Sequence, residues 1–259
     1  MRLEIYQIDA FTSELFKGNP AMVVPLKEWL PDNLMQDIAA ENNLSETAFY
    51  VPEGDGFYIR WFTPAVEVEL CGHATLATAF VIKYREEVEG GLIRFKCKSG
   101  ALFVEANGTE FTLDFPITLS VEIDIPKWAS FIGEGIKSAH KCGNDYLFVF
   151  NNEQEILDLK PNFSELKKIK SRGLIATAEG EKFDFVSRFF APAAGIDEDP
   201  VTGSAHTKLT PYWSTVLGKS ILTAKQISQR GGELSCELIG VRVKILGRGV
   251  LFLKGEIYI

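Results

Sequence analysis

Three histidines and four cysteines are the whole supply of soft metal ligands in the 259 residues, and Cys71, Cys97, Cys142 and Cys236 lie far apart with no CxxC pair. That scarcity argues against a structural zinc site or a disulfide framework and suits reduced thiols. Long apolar runs are absent too, none approaching the roughly 20 residues that span a bilayer. The opening MRLEIYQIDAF alternates like a strand and lacks a signal peptide's apolar segment and cleavage site, so a cytoplasmic location is expected. Positive charge is short: 27 Lys and Arg against 35 Asp and Glu leave a formal net charge of −8. Such a balance disfavours nonspecific binding to nucleic acid or to an anionic membrane. A small anionic ligand stays possible, because helix N-termini can hold one inside an acidic protein. Disorder is excluded by 46% hydrophobic content with 19 Phe.

What the sequence does contain is one pattern written twice. Gly18-Asn19 in KGNPAMVV is answered by Gly143-Asn144 in KCGNDYLFVF, each leading into a strand-like run. Pro31 and Pro161 each open a helical stretch, where a missing N–H costs little. RWFTP (Arg60 to Pro64) and RFFAP (Arg188 to Pro192) each end a β-rich run; Gly72 and Gly203 each precede an apolar helix; GALFVE from Gly100 parallels GELSCE from Gly232. The order is preserved and the offsets, 125 to 132 residues, are close to half the chain. We therefore expect a duplication, with domains at 1–116 and 117–259 and a linker near Pro116 and Ile117. Each half reads as short strands around one buried helix, from Ala74 to about Tyr84 and from Ala205 onward. Pro211 should kink or interrupt the second helix. The expected class is α+β, with a curved sheet wrapped on a central helix in each half.

Two such halves can turn their helix N-termini toward one another across an interdomain cleft, a common place for a ligand. The N–H groups after Gly72 and Gly203 would then cradle an anion, with Ser204 adding a hydroxyl donor and a carboxylate as the fitting ligand. Ordinary capping by His73, Thr202 and Ser204 is the alternative use of the same residues. Glu46, in NNLSETAFYV, lies between a helix end and an apolar strand, where burial would raise its pKa and prepare it for proton transfer. Placed in a solvated turn, it would do nothing of the kind. His73 could hold or relay a proton. Asp199, fixed by Pro200 within DPVTGSAH, could orient a histidine or exchange protons. A serine hydrolase needs the GxSxG elbow that TGSAH lacks, and a metal enzyme lacks ligand clusters, so neither metal nor cofactor is expected. A two-thiol racemase would need a cysteine at each helix mouth. Cys71 precedes Gly72, but Thr202 precedes Gly203, and a hydroxyl cannot replace a thiolate base.

GNPAMVV, NNLSETAF, RWFTPAVEVELCGHATLATA, DPVTGSAH with PYW, and RGGEL together resemble the PhzF family, the phenazine-biosynthesis isomerase and its relatives, from about Phe11 to the last strand. The resemblance implies the diaminopimelate epimerase-like fold: two pseudo-symmetric domains of curved, mostly antiparallel sheet around a central helix, with the active site in the interdomain cleft. It also implies that the last strand, about 249–259, returns to the first domain. Glu46 matches the family's catalytic acid/base, with His73 and Asp199 beside it. Gly72, Gly203 and Ser204 match its ligand-holding residues, and Asn19 and Thr202 complete the expected substrate contacts. The implied reaction is a cofactor-free isomerisation that moves a proton on a small carboxylate-bearing metabolite, in a homodimeric enzyme. A cysteine-assisted racemase or epimerase, or a non-catalytic small-molecule-binding protein of the same fold, stays open beside it.

Overall fold

The computed structural model describes residues 1–86, 88 and 91–259. Its chain divides into two compact units, Met1–Asp114 with Leu246–Ile259, and Phe115–Ile245. The division at Asp114 and Phe115 falls within the strand Glu110–Pro116, close to the linker read from Pro116 and Ile117.

The first unit runs β1 (Arg2–Ala10), β2 (Asn19–Pro25), α1 (Asp32–Asn42), β3 (Glu46–Glu53), β4 (Gly56–Phe62), β5 (Glu67–Val68), α2 (Gly72–Tyr84), β6 (Leu92–Cys97), β7 (Gly100–Asn107) and β8 (Glu110–Pro116). The second runs β9 (Val121–Ile123), β10 (Ser138–Cys142), β11 (Asp145–Val149), α3 (Glu153–Leu157), α4 (Phe163–Leu166), β12 (Gly173–Glu179), β13 (Phe185–Ala191), β14 (Ile196–Asp199), α5 (Gly203–Leu217), β15 (Ile221–Gln226), β16 (Gly232–Ile239) and β17 (Arg242–Tyr258). The end of β17 lies in the first unit, antiparallel to β1 from Ala10↔Gly249 to Arg2↔Tyr258.

Strand pairing repeats the duplication. In the first unit β1 is antiparallel to β2, β2 parallel to β3, β3 antiparallel to β4, β4 parallel to β6 and β6 antiparallel to β7. The second gives the same series with β10, β11, β12, β13, β15 and β16. Each parallel pair needs a crossover, and helices provide it: α1 and α2 in the first unit, α3 with α4 and then α5 in the second. Even one ion pair is copied. Arg60 grips Glu67 through Nε and Nη2 at 2.8 and 3.0 Å and lies 5.1 Å over the Phe62 ring. Arg188 grips Glu198 at 2.7 and 2.9 Å and lies 5.1 Å over Phe190.

The central helices are buried as their composition demands. α2 buries His73 through Ala79 together with Val81 and Ile82, and packs on β1, β2, β3 and β7. Threonines inside it return their hydroxyls to the backbone, Thr75 to Cys71 O at 2.5 Å and Thr78 to Ala74 O at 2.7 Å, so these two buried donors are satisfied. Close approach to β17 is allowed by glycine: a Cβ on Gly247 would fall 2.3 Å from the Phe11 ring and 3.2 Å from Leu76. A second apolar layer in the first unit packs Met35, Ile38 and Ala39 of α1 on Val24, Phe49 and Phe62. In the second unit Ile156 and Leu166 of α3 and α4 cover Phe148, Ala176 and Phe190.

Pro211 does not break its helix. α5 is continuous from Gly203 to Leu217. A proline there leaves the carbonyl four residues earlier without its helical donor, and Thr118 N donates to that carbonyl, Thr207 O, at 3.1 Å. The four cysteines form no disulfide and are buried. No helix among the described residues is long and apolar enough to cross a membrane.

Candidate active site

At the start of the parallel pair β2–β3 the first unit assembles most of its predicted chemistry. Asn19 is the first residue of β2 and Glu46 the first of β3, where it pairs with Ala21. The first turn of α2 brings His73 to the same place. Its Nε2 lies 3.2 Å from Glu46 Oε2, and the Glu46 side chain is only 14% exposed. On the other edge of the ring, Asn19 Nδ2 donates to His73 Nδ1 at 3.3 Å. With Nδ1 accepting, a neutral ring carries its proton on Nε2, the nitrogen that faces Glu46. Burial pushes the His73 pKa down to about 3. The contact is therefore a neutral imidazole facing the Glu46 carboxyl group. Cys71 joins them, its Sγ 3.5 Å from His73 Nδ1. The Glu46, Cys71 and His73 ligand atoms all lie within 4.8 Å of one another, a cluster that scattered cysteine spacing had argued against; folding brings Glu46 to Cys71 and His73 across 25 residues of chain.

In the second unit Asp199, Thr202, Gly203 and Ser204 stand at the mouth of α5. Asp199 ends β14 and is buried; the Thr202 hydroxyl donates to its carboxylate. Gln226, fully buried at the end of β15, fixes this turn from the inside. Its Oε1 accepts from Thr202 N at 2.8 Å and its Nε2 donates to Asp199 O at 2.7 Å. The Ser204 hydroxyl accepts from Arg172 Nη1 at 3.1 Å, and its own hydrogen stays available to donate. Arg172 in turn holds Asp145 through Nε at 2.8 Å, and Lys208 reaches the same buried carboxylate at 3.2 Å. Burial pushes the Lys208 ammonium pKa down, with Asp145 opposing the shift.

Neither central helix has a side-chain cap. The N-cap residues are Cys71 and Thr202, both in extended backbone, and neither side chain closes its helix end. Thr202 spends its hydroxyl on Asp199 and Ser204 receives Arg172, so the capping alternative is not how these side chains are used. His206, one turn into α5, donates from Nδ1 to Thr202 O at 2.8 Å, and burial holds its pKa down at about 4.

Sequence reasoning missed Gln226, Asp145, Arg172 and Lys208. Gln226 had a usable signal: Leu222, Ala224 and Gln226 are the buried positions of an alternating strand, so a glutamine stands where an apolar residue belongs. Asp145 and Lys208 had none, because 63 residues separate them.

This duplicated sheet-and-helix architecture is of the epimerase type. A predicted epimerase from Pseudomonas aeruginosa superimposes with a TM-score of 0.73 over 98% of this chain and 99% of that one, at 17% identity, a likeness of fold alone. The chain itself belongs to the phenazine biosynthesis-like family, PhzC-PhzF, whose model matches residues 8–255. An uncharacterized isomerase of Pseudomonas aeruginosa is 46% identical, covering 100% of both chains. The crystal structure of a PhzF-family phenazine biosynthesis protein from Enterococcus faecalis is 47% identical, with a TM-score of 0.97 over 100% of both chains.

Proposed function

We propose that this chain is a cofactor-free isomerase that moves a carbon-bound proton on a small carboxylate-bearing substrate, with Glu46 as both acid and base. The observation that carries the reading is the Glu46–His73 pair, a carboxylate held beside a buried imidazole kept neutral. Glu46 takes a proton from a substrate carbon, the C–H electron pair stays on the substrate as a delocalised anion, and the proton returns to another carbon as the double bond shifts. Nothing is oxidised or reduced. His73, kept neutral, faces the carboxyl group from Nε2 and fixes its position.

Uncapped N–H groups at the two helix mouths would hold the substrate carboxylate and stabilise the charge that develops. In this reading Asn19, Gly72, Thr202, Gly203 and Ser204 contribute substrate contacts, with Asp199 as a second proton-handling group. A cytoplasmic homodimer belongs to the same proposal. The names of relatives support the reaction class: three bacterial relatives at 44 to 47% identity are called isomerases.

The test is exchange of a substrate C–H with deuterated water, screened over small cyclic and amino-acid carboxylates. Glu46→Gln should lower exchange by about 10²–10⁴-fold while ligand binding survives; unchanged exchange would sink the role. One contact favours a cysteine-assisted racemase instead, the 3.5 Å approach of Cys71 Sγ to His73 Nδ1. That reading requires Cys71→Ala to abolish activity, which the Glu46 mechanism tolerates.

A further inference from the structure

Two donor atoms at the Glu46 end of the first unit already stand as ligands of one metal ion would. Cys71 Sγ lies 3.5 Å from His73 Nδ1. On a tetrahedral zinc, with Zn–S about 2.3 Å and Zn–N about 2.0–2.1 Å, sulfur and nitrogen stand roughly 3.5 Å apart. A Glu46 oxygen completes a set whose members all lie within 4.8 Å of one another, and among the described residues no other group of three His, Cys, Asp or Glu side chains does so. Rigid elements carry all three: Cys71 is the N-cap of α2, His73 is in its first turn, and Glu46 is the first residue of β3. Glu46 now faces the other ring nitrogen at 3.2 Å, so joining the sulfur and Nδ1 on a common ion requires its carboxylate to move toward the Nδ1 edge.

We propose that Glu46, Cys71 and His73 form a binding site for a zinc-type divalent cation, with the fourth position left for water or a ligand. Thiolate and imidazole donors select zinc or cadmium over magnesium and calcium, which prefer all-oxygen shells. Binding exchanges the Cys71 S–H bond for a sulfur–metal bond and releases the proton to solvent, with no change of oxidation state. Metal on Nδ1 also displaces the Asn19 amide, which donates to that nitrogen at 3.3 Å. An occupied site would take Glu46 out of proton transfer; that consequence rests on the isomerase reading, whereas the binding does not.

Calorimetric titration of the tag-free full chain with Zn²⁺, and with Cd²⁺ while following the thiolate-to-cadmium charge-transfer band, tests the site directly. One ion per chain is expected, with no binding of Mg²⁺. Cys71→Ser should remove the band and weaken binding at least tenfold, and Glu46→Gln and His73→Gln should each weaken it, whereas Cys97→Ser should leave it unchanged. Circular dichroism of each metal-free variant checks its fold, and the two glutamine variants decide the matter independently of each other. No stoichiometric binding, or equal affinity with an unaltered band in Cys71→Ser, would overturn the proposal. A failed exchange assay would leave these results untouched.

Discussion

Acidification should weaken the fold through two histidines well before its carboxylates titrate. His73 and His206 are held by burial at about 3 and about 4, while in the unfolded chain a histidine titrates near 6.5. Between those values the unfolded state binds protons that the folded state refuses, so stability is fully present above about pH 6.5 and falls as pH drops toward the folded values. At about pH 5 each group contributes a loss of about 2 kcal/mol relative to about pH 7.5, roughly 4 kcal/mol for the pair. Because both folded values lie a unit or more below pH 5, this figure hardly depends on them. His140, also held low by burial, pushes the same way. With a urea m-value of about 3 kcal/mol/M the midpoint should fall by more than 1 M. His73→Gln should remove about half of the effect. A stability that stays flat down to pH 5 would refute the argument. It would mean that burial does not hold either imidazole below its unfolded value, so that His73 is not kept neutral beside Glu46 as pH falls below about 6.5.

Gly247→Ala drives a methyl group to 2.3 Å from the Phe11 ring, which is 1% exposed and has nowhere to go; about 1–3 kcal/mol of destabilisation is expected in thermal unfolding. Gly249→Ala meets its neighbours only at 3.1 to 3.4 Å and should lower Tm less; equal losses would show that β17 does not press on α2 as described. Gln226→Leu removes the partners of Thr202 N and Asp199 O, so urea unfolding should show a loss of about 2–4 kcal/mol. A neutral result would mean that the turn holds its shape without Gln226.

Glycines and prolines carried most of what could be read of the fold beforehand. Gly72, Gly100, Gly203 and Gly232 stand where a helix or strand must begin, and local backbone chemistry puts them there whatever the rest of the chain does. RWFTP and RFFAP marked the ends of β4 and β13, but their acidic partners Glu67 and Glu198 were hidden, because each lies across a turn whose course depends on the neighbouring strand. Of the candidate site, Glu46 and His73 stand out in the sequence as polar residues bordering apolar runs, and the fold brings them within 3.2 Å. Cys71 reads in the sequence as half of a symmetric thiol pair, whereas the fold sets its Sγ 3.5 Å from the imidazole two residues on. Duplication itself misleads at this point. β3 begins with Glu46, whereas β12 begins with Gly173, so symmetry predicts the scaffold and not the reacting groups.

The long strand β17 makes the first unit the last to be finished. Its part from Leu246 onward is synthesised after the whole of the second unit, yet it supplies the strand that pairs with β1 along nearly its full length. On the ribosome, therefore, β1 emerges early with one edge unsatisfied and must wait for more than 200 further residues before that edge is covered. An exposed strand edge is a template for wrong pairing. The chain's hazard of misassembly is thus concentrated in its opening residues, and a chaperone or a slow pause in translation would have most to protect there.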